Sequence, residues 1–185
     1  PMVVTSIGAI KGYGPHSTII STTSGTANIF TIQSSLVDVT DFSLGTTVTR
    51  TAGAGISLNT VSPSDPYLTY IHIDNVLMND QYDGIDVANA AFVNITNSVF
   101  NTLVHYGIHV HGSDTPDAGD NNIEGNLFGG AITATAIYVE TSGNRITNNK
   151  ILTFDTGILG ESVGGVTCCS DLIVANNSIE GYASY

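Results

Sequence analysis

Short runs of alternating apolar and polar residues recur along this chain. "YDGIDVAN" (82–89) returns as "HYGIHVHG" (105–112), with Gly-Ile-any-Val in common. The echo extends in both directions, through "NIFTI" (28–32), "GISLN" (55–59), "GIDVA" (84–88), "GIHVH" (107–111), "AIYVE" (136–140) and "GILGE" (157–161). Phe30, Ile56, Ile85, Ile108, Ile137 and Ile158 then form one column, and Ile32, Leu58, Val87, Val110, Val139 and Gly160 the next. A period of two puts these aliphatic residues on one face of a strand and the residues between them on the other.

A second register lies between the first. Val39, Ile73, Ile95, Ile123, Ile146 and Val174 each lead, by the same short interval, to Leu44, Met78, Phe100, Phe128, Ile151 and Ile179. Inside that interval sit Ser98, Asn126, Asn149 and Asn177, residues that suit a bend: stacked amides can hydrogen-bond along a column, and they tolerate left-handed backbone. Gly55, Gly84, Gly107 and Gly157, with Ala136 replacing the fifth, mark another place where a Cβ is unwelcome. Repeats of roughly 20 to 30 residues with no helical spacing predict an all-β chain, a right-handed parallel β-helix of about seven coils with three short strands per coil. A β-sandwich is the competing architecture.

Composition agrees with a β-rich domain: 42% hydrophobic, 11% charged, 20 Gly. The formal net charge of -12 makes nucleic acid and anionic membranes poor partners. No apolar run is long enough to span a bilayer, and "PMVVTSIGAI" lacks the basic flank and cleavage site of a signal peptide, so a chain without membrane insertion is expected. Cys168 and Cys169 are adjacent, unable to staple distant segments or to form a zinc site by spacing, and are expected as two small thiols.

The coil repeat resembles the parallel β-helices of the pectate-lyase-like superfamily. The opening "SIGAIKGYGPHSTIISTTSGTANIFTI" (6–32) is similar to the first coils of phage tailspikes and related polysaccharide depolymerases, through Gly12, Gly14, Ser17 to Ile20 and Asn28 to Ile32. That resemblance implies one β-helical domain over 1–185, a fragment of a longer chain without head-binding and trimerisation domains. It also implies a homotrimer in a virion tail beside other tail proteins, or else a secreted protein, recognising and depolymerising a bacterial surface polysaccharide with no cofactor. A non-catalytic structural or adhesive spike, and a free microbial lyase or epimerase, are the alternatives, since fold alone does not fix activity.

Chemistry is expected on the outward positions. One outward column reads Ser57, Asp86, His109, Tyr138, Leu159; its neighbour reads Asn59, Ala88, His111, Glu140, Glu161. Glycoside hydrolysis needs a carboxylic acid and a second carboxylate, which Glu140, Glu161 and Asp86 supply as candidates. His109 and Tyr138 could instead serve β-elimination as base and acid. His111, Tyr82, Tyr106 and Asp117 are the candidate substrate-binding residues, with Tyr82 and Tyr106 expected at matching positions and stacked on each other. An ordinary solvated face is the alternative for the whole patch. Insertions at 61–67, 112–122 and 161–171 would wall a groove; Asp114, Asp117 and Asp120 in the second lack EF-hand spacing and read as a solvated acidic loop, and no metal is assigned. His72 falls in a column with Asn94 and Asn122 and receives no role. Leu159, Val163 and Val166 hint at an apolar strip for trimerisation.

Overall fold

The computed structural model describes residues 2–60, 67–112, 119–130, 133–163 and 168–181. All strand pairs within them are parallel, and no helix occurs among them. One sheet stacks seven strands in the order Met2–Val4, Phe30–Ile32, Ala54–Leu58, Asp83–Ala88, Tyr106–His111, Thr135–Val139 and Thr156–Gly160. Its register places Phe30, Ile56, Ile85, Ile108, Ile137 and Ile158 one above another, as the repeat predicts. Phe30, Ile56, Ile85, Ile108 and Ile137 are fully buried. Each such side chain contributes about 1.5–3 kcal/mol relative to exposure.

The second sheet carries the other register. Asn94–Thr96 and Val99–Asn101, and their equivalents in later coils, flank a bend, whereas Val37–Thr46 and His72–Asn79 run through the same bend as single strands. Ile73, Ile95, Ile123 and Ile146 form one inward column; Met78, Phe100, Phe128 and Ile151 form the other, with Phe100 and Phe128 stacked at 4.6 Å. The chain is a right-handed parallel β-helix whose core runs along its axis.

The bend chemistry differs from expectation in one respect. Left-handed φ belongs to Asn97, Gly125, Asn148 and Asn176, each one residue before the ladder residue. Ser98, Asn126 and Asn149 are thereby turned inward and buried. Asn149 Oδ1 accepts from the backbone N–H and side-chain amide of Asn126 at 2.9 and 3.1 Å, and Asn177 Oδ1 accepts from the same two groups of Asn149 at 2.9 and 3.0 Å. A second, shorter ladder, not expected from the sequence, joins Asn121 to Asn144 at 3.0 Å. It too follows left-handed residues, in a corner column of Leu36, Tyr70, Phe92, Asp120, Gly143 and Asp171.

At Gly107 the glycine requirement is steric, since φ there is not positive. A Cβ would run into the carbonyl oxygen of Ala136 and meet the Phe128 ring at 2.8 Å. Cys168 and Cys169 also depart from expectation: they are joined as a disulfide, and no free thiol remains. The bridge closes only its own small ring, so it still staples no distant segments. Cys169, at φ 74°, packs against the end of the core.

Candidate functional site

The seven-stranded sheet presents the predicted outward column in register. Ser57, Asp86, His109, Tyr138 and Leu159 are successive neighbours, because the aliphatic residues on either side of each point inward. His111 pairs with Ala88, and Glu140 and Glu161 continue from the next strands through backbone bonds to Val110 and Val139. Asp86, His109, His111, Tyr138, Glu140 and Glu161 therefore share one face, as the repeat implies. Asp117, with Asp114 and Val166, lies outside the described residues.

Asp86 sits at the centre of the polar contacts. Ser57 Oγ donates to its Oδ2 at 3.1 Å, and His111 Nε2–H donates to its Oδ1 at 2.8 Å. His109 Nε2–H donates to Glu140 Oε1 at 2.9 Å, since a carboxylate can only accept. In neutral His109 that leaves Nδ1 as a lone pair, 4.0 Å from Asp86 Oδ1. The His109 ring is held from both sides, stacked on His111 at 4.3 Å and on Tyr138 at 4.9 Å. Tyr138 O–H donates to Glu161 Oε2 at 3.2 Å.

The two histidines are pushed apart in acidity. Burial lowers the pKa of His109 more than Glu140 raises it, and the nearby charge of His111 lowers it further. Burial also opposes charge on His111, but the bond to Asp86 and the charges of Asp86, Glu140 and Asp83 outweigh it, so its pKa is raised. Tyr138 is held firmly protonated by burial and by the carboxylates of Glu140 and Glu161. That excludes it as a base near neutral pH and leaves it as a hydrogen-bond donor.

Asp86, His109 and His111 each offer a donor atom within 4.8 Å of the others. Such a His₂–carboxylate set suits a first-row ion such as copper, zinc or iron. The separations of 2.8 and 4.0 Å bracket the roughly 3.3 Å expected between donors on a tetrahedral ion with metal–ligand bonds of about 2.0–2.1 Å. Glu140 gives His109 the outer carboxylate partner that ligating imidazoles have. The residues fit a metal ion, which the sequence reading of this face did not assign.

Tyr82 and Tyr106 are not stacked on each other. The register aligns Tyr106 with Asp83, so Tyr82 matches His105, and the His105 ring lies between the two tyrosines, 4.9 Å from Tyr82 and 3.6 Å from Tyr106. The expectation was one residue out of step, as "YDG" against "HYG" shows. Tyr106 leans on His109 and Tyr138 at 4.7 and 5.2 Å. Two residues were missed, Asp83 and His105. Asp83 Oδ1 accepts from His105 Nδ1–H and from the Tyr106 backbone, each at 3.1 Å, and burial raises its pKa. Their signal was present, as the Asp before Gly84 and the His two residues before Gly107. His72 stands between Asn94 and Asp38 on the other sheet.

No curated protein and no solved structure gives a match to this chain. A family model does: residues 22–184 match the periplasmic copper-binding protein (NosD) family. With nearly the whole β-helix covered by that match, the chain belongs to the NosD family.

Proposed function

We propose that this chain is an extracytoplasmic metal-binding protein that takes a copper-class divalent ion between Asp86, His109 and His111. The observation that carries this reading is the orientation of His109: Glu140 takes its Nε2–H and leaves Nδ1 toward Asp86 and His111. The family's description as periplasmic and copper-binding supports both the ion and the compartment. Imidazole and carboxylate donors rank Cu²⁺ above the other divalent first-row ions. A bound ion would replace the proton that His111 shares with Asp86 and would supply Lewis acidity. Titration calorimetry and Cu²⁺ electron paramagnetic resonance test the proposal. Wild type should bind one ion with a two-nitrogen signature. His111→Ala should lose it, and Glu140→Ala should weaken it about 10- to 100-fold. Equal binding by wild type and His111→Ala would reject the site.

A second reading, glycan depolymerisation, draws on the same face. Its support is the opposite direction in which His109 and His111 are shifted, His109 down by burial and His111 up through Asp86, beside Glu140, Glu161 and Asp86, with Tyr138 as donor, together with the resemblance of the first coils to tailspike depolymerases. In that reading the chain acts as a homotrimer on a virion tail or as a secreted enzyme, and its ligand is a bacterial surface polysaccharide. Leu159 and Val163, both exposed, would belong to the trimer contact. Reducing ends released from capsule or lipopolysaccharide glycans without absorbance near 235 nm, and lost in Glu140→Gln or Glu161→Gln, would establish a hydrolase. Absorbance near 235 nm would establish elimination. Neither signal from folded protein would remove this reading.

A further inference from the structure

The corner column that leads into the second sheet changes character along the helix axis. Its first positions are apolar and open: Leu36 (51% exposed), Tyr70 (60%) and Phe92 (40%), with Ile7 (68%) one coil before Leu36. Tyr70 and Phe92 are stacked at 5.3 Å with their planes 11° apart. Its later positions are Asp120, Gly143 and Asp171. There the surface is concave, a groove of about 220 Å³ lined by Tyr67, Phe92, Asp120, Ser142 and Asp171 together with glycines. Neither Asp120 nor Asp171 forms a salt bridge among the described residues. One continuous edge thus joins an aromatic and aliphatic ridge to an acidic groove with an aromatic wall.

We infer that this edge docks an extended segment of a basic partner protein. A Lys or Arg of that segment sits in the Asp120–Asp171 groove against Phe92, and apolar side chains follow along Phe92, Tyr70, Leu36 and Ile7. The occupant follows from charge. The charged end of a Lys or Arg gains from the groove carboxylates while its stem lies against the aromatic wall. A second copy of this chain, with 4 Lys+Arg against 16 Asp+Glu, is a poor source of that cation. Length fits as well. The seven positions from Ile7 to Asp171 span six coil steps, roughly 29 Å at about 4.8 Å per step, the reach of about nine extended residues. The proposal is independent of the histidine site.

The test is fluorescence anisotropy with labelled peptides of about nine residues. One probe carries two lysines at one end and alternating leucines at the other. A second has glutamates for the lysines, and a neutral cello-oligosaccharide is the third. The lysine peptide should bind, and its affinity should fall with added salt. Asp120→Asn with Asp171→Asn should weaken it about tenfold. Tyr70→Asn with Phe92→Asn should weaken it at least about fivefold, and asparagine accepts the left-handed backbone there, so the fold is kept. His111→Ala should leave it unchanged. No binding of the lysine peptide, equal binding of the glutamate peptide, insensitivity to the aspartate changes, or binding of the oligosaccharide alone would each overturn the inference.

Discussion

Asn149→Ala tests whether the amide ladder holds the coils together or merely occupies the bend. The Asn149 side chain is 1% exposed and makes four hydrogen bonds. Its Oδ1 accepts from the Asn126 backbone and amide, and its Nδ2 donates to Ile123 O and Asn177 Oδ1, all between 2.9 and 3.1 Å. A buried bond contributes about 1 kcal/mol net, so four give about 4 kcal/mol; a water entering the vacated space would recover part and orphaned donors would add to the loss, for an expected cost of about 3–5 kcal/mol. Asn177 makes analogous bonds to Asn149 and Ile146 but is only partly buried, so water replaces them in part and Asn177→Ala should cost about 1–2 kcal/mol. Urea unfolding at a common slope measures both. A loss below about 1 kcal/mol for Asn149→Ala, or equal losses for the two variants, would refute the reasoning.

Gly107→Ala should prevent folding or destabilise by several kcal/mol, because its Cβ meets backbone and a packed ring, whereas Gly157→Ala, facing only the Ile179 side chain, should cost about 1 kcal/mol or less by thermal unfolding. Asp83 has its pKa raised by burial, so its contribution to stability is fully present below the ordinary carboxylate pKa and is lost as pH rises through the raised value. Asp83→Asn should therefore flatten the stability profile across that acidic window, as urea titrations at several pH values would show. Reducing Cys168–Cys169, or replacing both by serine, should lower stability by no more than about 1 kcal/mol, because the bond closes a minimal loop; urea unfolding measures it, and a larger loss would refute the prediction.

The inward columns were legible because a β-helix repeats one coil, and each coil must bury the same aliphatic positions. Once Ile85, Ile108 and Ile137 are aligned, Asp86, His109 and Tyr138 follow as outward neighbours without any coordinates. The Asn149 ladder was legible for the same reason, since identical residues at identical bends stack. Alignment does not report side-chain direction. That His109 turns to Glu140, that Asp86 is shared by Ser57 and His111, and that Tyr138 reaches Glu161 depend on rotamers set by stacked rings above and below. Register beyond the repeating core was legible but misread: Tyr82 lies two residues before Gly84 and Tyr106 only one before Gly107, so Tyr82 matches His105, while the placing of the His105 ring between the two tyrosines is a matter of side-chain direction. Sequence by itself determined the solenoid and the face that carries polar chemistry, because burial is periodic and local. Only the tertiary structure decided which donors converge, how the two histidines divide in acidity, and that the ridge of Leu36, Tyr70 and Phe92 meets an acidic groove, because those depend on contacts between coils some 20 to 30 residues apart in the chain.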